Sequence, residues 1–279
     1  RHPVVLIDKE DRVIGVLAGR PKDTVGWGRA IHEVERAMRT AREEGVFHDK
    51  VNRRGTTKFL NCGVSYGGGQ TEPRNISQGR NERVVNELLR NPAVDRVAGF
   101  MSNAFKMFNP GMHALYSSTM AMLCAHDDNV RPNFSKNVFG AATFNLGPQV
   151  ATLVHTDHLN YAPGWCAILA LGNFDPTRGG HLVLWDLKLI VEFPPGSLIM
   201  IPSAILRHSN TPVQEGEERM SFTQFSAGGL FRWVECKFRT QKQFLADGGV
   251  FQRNGKQRWL NGINAYSTWT QLKARARRS

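Results

Sequence analysis

Two residues in the stretch TLVHTDHLN, His155 and Asp157, stand two positions apart in an apolar neighbourhood. If that stretch is a strand, both side chains fall on one face of the sheet. An imidazole and a carboxylate meeting there form either a hydrogen-bonded structural pair or two-thirds of a metal site. His208 follows the apolar run SLIMIPSAIL and Arg207, and Arg219 and Ser221 stand further on with one residue between them. Two imidazoles and one carboxylate match the ligand set of non-haem Fe(II) sites, which covers one face of an octahedral ion. Three positions stay open, two for a bidentate 2-oxo acid and one for O2.

Arg219 supplies what such a site needs next, a fixed counter-charge. Its guanidinium pairs with a carboxylate through two parallel hydrogen bonds. In a strand, Arg219, Ser221, Thr223 and Phe225 share one face, and Met220, Phe222 and Gln224 take the other. A cation on a core-directed face is costly without a partner. A bound dicarboxylate removes the cost; so would an ion pair with Glu217 or Glu218, the competing structural explanation.

The elements that must position these groups follow from pattern. PVVLIDKEDRVIGVLAG reads as two short strands, Val4–Asp8 and Val13–Leu17. Apolar residues at helical spacing predict helices from Trp27 to Glu44, from Glu82 to Arg90, through Val97 to Phe108, and from Gly111 to Cys124. From Phe139 to Val234 the texture changes to short apolar runs cut by Gly, Pro, Asn and Asp, with RMSFTQFSAGGLFRWVEC read as a strand that breaks at Gly228-Gly229 and resumes. Helices first and strands later predict an α+β fold, helices packed outside an antiparallel β sandwich or barrel. The expected organisation is one compact catalytic domain: 1–138 as supporting strands and helices, 139–236 as the β core, 237–279 as a basic C-terminal segment.

With 279 residues, 41% of them hydrophobic, the chain buries a sizeable core. Its four cysteines are scattered and form no CxxC pair, which argues against a disulfide framework and for a reducing compartment. No apolar run approaches the roughly 20 residues that span a bilayer, so no membrane association is expected. The chain opens at Arg1 without a signal-peptide pattern, and its natural N-terminus is expected to lie upstream. Ten of the 36 Lys and Arg but only one of the 24 Asp and Glu fall between Lys237 and Ser279, so that segment carries nine of the twelve net positive charges. Trp259, Tyr266 and Trp269 are interleaved with them, a composition suited to bases and phosphates, with a solvated, solubilising tail as the plainer explanation. The terminal KARARR resembles a nuclear-import patch, which makes the expected location nuclear.

HTD, GGHLVLWD, FPPGSLIMIPSAILRHSNTPV and ERMSFTQFSAGG together resemble the Fe(II)/2-oxoglutarate dioxygenases, whose core is a double-stranded β-helix, or jelly roll. More narrowly, VLAGRP, GVSYGGGQTEPRN and the wording around His208 resemble the TET/JBP nucleic-acid base oxygenases found in basidiomycete fungi. The resemblance implies Fe(II) held by His155, Asp157 and His208, 2-oxoglutarate bound by Arg219 with Ser221, and ascorbate as reductant. It implies decarboxylation of 2-oxoglutarate to succinate, then hydrogen abstraction by a ferryl oxygen and hydroxyl rebound. The carboxylate of Asp157 favours hydroxylation over the halogenation that Gly or Ala there would suggest.

The partner expected is DNA with a methylated base, flipped from the duplex and met by a monomer. Phe225 is placed to stack on it; an ordinary core aromatic is the competing explanation. Asn160 stands where relatives carry an acid that accepts from the base's exocyclic amine, and Ala227 where some carry a base-contacting His. Both departures loosen 5-methylcytosine specificity and admit N6-methyladenine. The Gly67–Gly69 run lets a loop approach the nucleotide, with Gly68 at its centre and Gln70, Arg74 and Asn75 offering polar contacts; a mobile surface loop is the plainer explanation. Lys50, Arg53, Arg54 and Lys58 suit phosphates. His158, His181, His113 and His126 are set aside as non-ligands, and no zinc cluster is expected. The alternatives are a 2-oxoglutarate hydroxylase of a protein side chain or small molecule, and a non-catalytic jelly-roll binding module.

Overall fold

Alternation along the strands decides how this molecule is layered. In the computed structural model, which describes residues 2–47 and 57–277, the chain forms β1 (Val4–Ile7), β2 (Val13–Gly19), α1 (Thr24–Glu44), β3 (Phe59–Ser65), β4 (Arg74–Asn75), α2 (Glu82–Arg90), α3 (Pro92–Phe108) and α4 (Pro110–His126). Then come β5 (Ala141–Asn145), β6 (Cys166–Asn173), β7 (Leu182–Leu184), β8 (Leu189–Val191), β9 (Leu198–Ile201), β10 (His208–Asn210) and β11 (Glu218–Phe225). Four helices close the chain: α5 (Gly228–Glu235), α6 (Gln241–Ala246), α7 (Gly255–Asn264) and α8 (Trp269–Ala276).

Eight strands make one antiparallel sheet in the order β1-β2-β9-β6-β11-β5-β3-β4, and three make a second, β10-β7-β8. Leu169 and Leu171 of β6, Met220 and Phe222 of β11, and Ala142 and Phe144 of β5 point one way and are buried against Met38, Val97, Met101 and Phe105 of α1 and α3. The residues between them point the other way. Ala170, Ile199 and Ile201 form a second cluster with Leu182, Leu184 and Phe193 of the small sheet and its flank. The large sheet therefore carries helices on one face and the small sheet on the other, which is the antiparallel β core with helices outside that the pattern predicts and the jelly roll that the resemblance implies.

Local chemistry sets the helix ends. Asp23 caps α1 by accepting from Gly26 N, and Asn91 caps α3, with Pro92 in the first turn where a missing N–H costs nothing. Among the described residues, no helix is long and apolar enough to cross a membrane.

Three expectations are corrected. Thr152–Asn160 is not a buried strand: it is irregular, tied down by single bridges, and Leu153, Val154 and Leu159 are 73%, 50% and 63% exposed. The chain after Gly228-Gly229 does not resume a strand but forms α5, because Leu230 and Trp233, three apart, bury one helical face. The C-terminal segment forms α6–α8, and the link into α8 pairs with the chain at the start of β2, with Val13 N donating to Ser267 O at 2.9 Å and Trp269 N to Asp11 O at 2.8 Å. Tyr266 is buried in the main core, where its hydroxyl donates to Pro163 O at 2.6 Å, and Trp269 packs against the same core. Tyr266 is thus an anchor, not a face offered to bases, and Trp269 is half-buried. Of the phosphate-directed cations, Lys50, Arg53 and Arg54 lie outside the described residues; Lys58 stands over the Phe47 ring at 5.3 Å.

Tyr266→Ala is expected to lower unfolding free energy by about 3 kcal/mol, as for a large buried ring. Urea denaturation measures it; a change within about 0.5 kcal/mol, the figure for a surface site, would mean that the segment is not part of the core.

Candidate metal centre and its anion anchor

His155 and His208 come from different parts of the chain and are joined backbone to backbone. His155 N donates to His208 O at 3.1 Å and His208 N to His155 O at 2.9 Å. This bridge appends the 152–155 segment to β10 at the edge of the small sheet. Asn210 N donates to Thr152 O at 3.2 Å, so 152–155 holds one residue more than the 208–210 stretch it faces. That bulge turns Leu153 and Val154 outward beside the ligand. Asp157 N donates to Ser203 O at 2.9 Å, which fixes the carboxylate against the turn after β9.

Each imidazole is oriented by its own peptide. His155 Nδ1 lies 2.7 Å from Leu153 O, and His208 Nδ1 lies 2.8 Å from Leu206 O. A carbonyl only accepts, so both Nδ1 atoms carry the proton and both Nε2 atoms present a lone pair. The Nε2 atoms lie 3.7 and 3.9 Å from the two oxygens of Asp157. One ligand atom from each of the three residues falls within 4.8 Å of the others, and among the described residues this is the one such group. Two neutral imidazoles and a carboxylate, with ring tautomers set by outer hydrogen bonds, suit a divalent first-row metal and fit Fe(II).

Arg219 sits on the inner face of β11, 1% exposed. Its Nη1 donates to Val150 O at 2.8 Å, and its Nε has no hydrogen-bond partner. The carboxylates that offered a structural explanation are occupied elsewhere. Glu218 bonds Arg39 and Arg42 of α1 at 2.7 and 2.8 Å, and Glu217 accepts from the backbone of Asp175 and Gln214. Burial pushes the Arg219 pKa down to about 10 from the ordinary 12.5. Its positive charge is therefore held at a cost at every pH below that value. A buried cation with an unused donor is what a 2-oxo acid's carboxylate would complete, so the residues present fit that cosubstrate. Ser221, 4% exposed and two residues on, shares the face.

Phe225 follows on this face, partly exposed, and no ring contact engages it among the described residues. Asn160 and Ala227 face each other across an antiparallel bridge, and the Asn160 amide donates to Ser203 Oγ at 3.2 Å. The glycine loop reaches this edge indirectly. Gly68 and Gly69 take φ of +59° and +94°, conformations that side chains disfavour. Gly229 of α5 lies so close to Tyr66 O that a Cβ there would come within 2.3 Å, and Gly228 N donates to Leu159 O beside the metal ligands. Gln70 is exposed and bonds Ser65; Arg74 is exposed and paired with Glu72. Asn75 differs from the expectation of a free contact: its amide donates to Arg131 O and accepts from Arg131 N. Of the other histidines, His181 bonds Thr211, His126 stacks on Phe238, His113 packs on Phe105 and His158 is exposed. Sequence spacing did not single out Ser203, whose carbonyl and hydroxyl hold Asp157 and Asn160, nor Asn145 of β5, which bonds Ser221. Their partners lie 43 to 76 residues away.

No protein-family model matches the chain, and no curated protein matches it. Among solved structures, NgTET1 in complex with 5mC DNA superposes with a TM-score of 0.58 at 15% identity, covering 88% of this chain and 84% of that one. A Pseudomonas putida prolyl-4-hydroxylase matches at a TM-score of 0.40 and 15% identity over 71% of this chain and 85% of its own. A 2OG-Fe(II) oxygenase family oxidoreductase from Burkholderia pseudomallei matches at 0.37 and 17% identity over 70% and 77%. The likeness to NgTET1 covers 88% of this chain, and at that identity it is a likeness of fold.

Replacing Arg219 separates its two roles. Arg219→Met is expected to leave the ligand-free protein as stable as the parent or about 1 kcal/mol more stable, since an apolar chain replaces an unpaired buried charge. It is expected to abolish the rise in melting temperature that 2-oxoglutarate gives the parent. Differential scanning fluorimetry with and without the acid reads both.

Proposed function

We propose that this chain is an Fe(II)- and 2-oxoglutarate-dependent oxygenase that oxidises the methyl group of a modified base in DNA, 5-methylcytosine first and N6-methyladenine beside it. The observation that carries the reading is the conjunction of three metal-ligating side chains with a buried guanidinium that no carboxylate among the described residues neutralises. When bound, the ferrous ion with O2 supplies the oxidation that couples loss of CO2 from 2-oxoglutarate to hydroxylation of a C–H bond, with ascorbate as reductant.

The protein's own part is to bind and orient. His155, Asp157 and His208 would hold the ion, each fixed by a backbone bond. Arg219, with Ser221, would anchor a carboxylate of the cosubstrate by charge-assisted hydrogen bonds. Three features support a nucleic-acid base as substrate: the fold shared with NgTET1, which was solved with 5mC DNA; the net charge of +12; and Phe225, an inner-face ring with no aromatic partner among the described residues, suited to stacking on an extruded base. Asn160 can both accept and donate, and Ala227 leaves room, so the site would tolerate more than one base edge. Gly68, Gln70 and Arg74 would meet the nucleotide from the loop, and the basic C-terminal helices would meet phosphates. The protein would act as a monomer, and the Lys273–Arg277 cations support a nuclear location.

Incubation with iron, ascorbate, 2-oxoglutarate and oligonucleotides carrying 5-methylcytosine or N6-methyladenine is expected to give oxidised bases by mass spectrometry, with matching succinate. Asp157→Ala is expected to abolish both. DNA affinity is expected to fall roughly 10³-fold between 50 and 200 mM salt if several phosphates are contacted. A flat salt response with succinate formed on other substrates would favour a protein or small-molecule hydroxylase.

A further inference from the structure

Arg219 Nε has a counterpart on the neighbouring strand. Asn145 ends β5 directly across from Ser221 of β11 and is 5% exposed. Its Nδ2 donates to Ser221 Oγ at 2.9 Å, while its Oδ1 has no hydrogen-bond partner. A buried acceptor and a buried donor thus stand on one face of two paired strands without bonding each other. Leaving such a group unpaired costs about 1–3 kcal/mol, so each calls for an explanation.

An anionic ligand explains the arginine but not the amide as it stands. A 2-oxo dicarboxylate offers only acceptors, and Asn145 Oδ1 needs a donor. Ser221 resolves the conflict, because a hydroxyl donates as readily as it accepts. With the amide turned over, the Ser221 hydroxyl donates to Oδ1, and the Nδ2 hydrogens become available on the face that carries Arg219. No acceptor is then orphaned, and two donors, Arg219 Nε–H and Asn145 Nδ2–H, are ready for one anion.

The geometry points to Asn145 as a further residue that binds the 2-oxo acid, its amide donating to the ligand while the Ser221 hydroxyl fixes the amide's orientation. This rests on the 2-oxoglutarate reading above and deepens it. The side chain must stay neutral: a carboxylate at this position would repel the anion and offer Arg219 a partner inside the protein.

Calorimetric titration of 2-oxoglutarate into the Mn(II)-loaded protein, without O2, tests this with no turnover. Asn145→Asp is expected to weaken binding about 100-fold or more. Asn145→Leu, similar in volume but without donors, is expected to weaken it about tenfold, the worth of one charge-assisted hydrogen bond. The leucine variant is also expected to melt at or above the parent temperature, since it removes a buried amide N–H left unpaired in the ligand-free protein, and to keep the parent's Mn(II) affinity by electron paramagnetic resonance. If Asn145→Leu folds, holds Mn(II) and binds 2-oxoglutarate as the parent does, the assignment is overturned. A parent that holds Mn(II) and takes no 2-oxoglutarate would overturn the cosubstrate reading itself, and the role of Asn145 with it.

Discussion

Arg219 carries a full charge buried between two sheets, and among the described residues no acid pairs with it. A folded chain accepts such an arrangement only where the surroundings hold it rigidly or a ligand completes it. Here the surroundings do the holding. β11 lies between β5 and β6, its register set by continuous pairing on both sides. The acids nearest in sequence face away, Glu218 to Arg39 and Arg42 of the first helix, Glu217 to backbone amides. The helices therefore do more than cover the outer face. By drawing off Glu218 they keep the inner cation available, and this ties the α layer to the chemistry of the β core.

The metal-ligating group depends on the same construction from the opposite sheet. His208 belongs to β10, and His155 is attached to it by two backbone bonds. Asp157 hangs from the turn after β9, a strand of the large sheet. The three side chains converge only because the two sheets meet at this edge. An ion bound there would bridge the layers and stabilise the folded state by mass action.

Much of this was legible in the residues. His155-x-Asp157, His208 and Arg219-x-Ser221 are set apart by type and spacing, and strand parity correctly put Arg219 and Ser221 on one buried face. The helix from Glu82 to Arg90 came out to the residue, because its apolar stripe is strong and Pro92 follows. What escaped has identifiable causes. Val154 and Leu159 look like core residues by type, yet bridges and a bulge, not a continuous ladder, hold that segment, and their side chains face solvent. Leu230, Phe231 and Trp233 fit strand or helix equally as a short apolar run, and only packing decides. Charge density made the C-terminal segment look like a solvent-facing surface, while Tyr266 and Trp269 pack against a core that composition does not display. Asn75 and Asn145 are ordinary asparagines in sequence; their partners, Arg131 and Ser221, lie 56 and 76 residues away.

Both imidazoles are steered by the carbonyl two places earlier in their own chain. Peptide oxygens are common to all twenty amino acids, so no neighbouring side chain has to be kept for the rings to face correctly. Position 153, whose side chain faces solvent, is free to change type while the coordination geometry is inherited through the main chain. A protein arranged in this way can lose nearly all recognisable kinship in its letters and still retain a working centre.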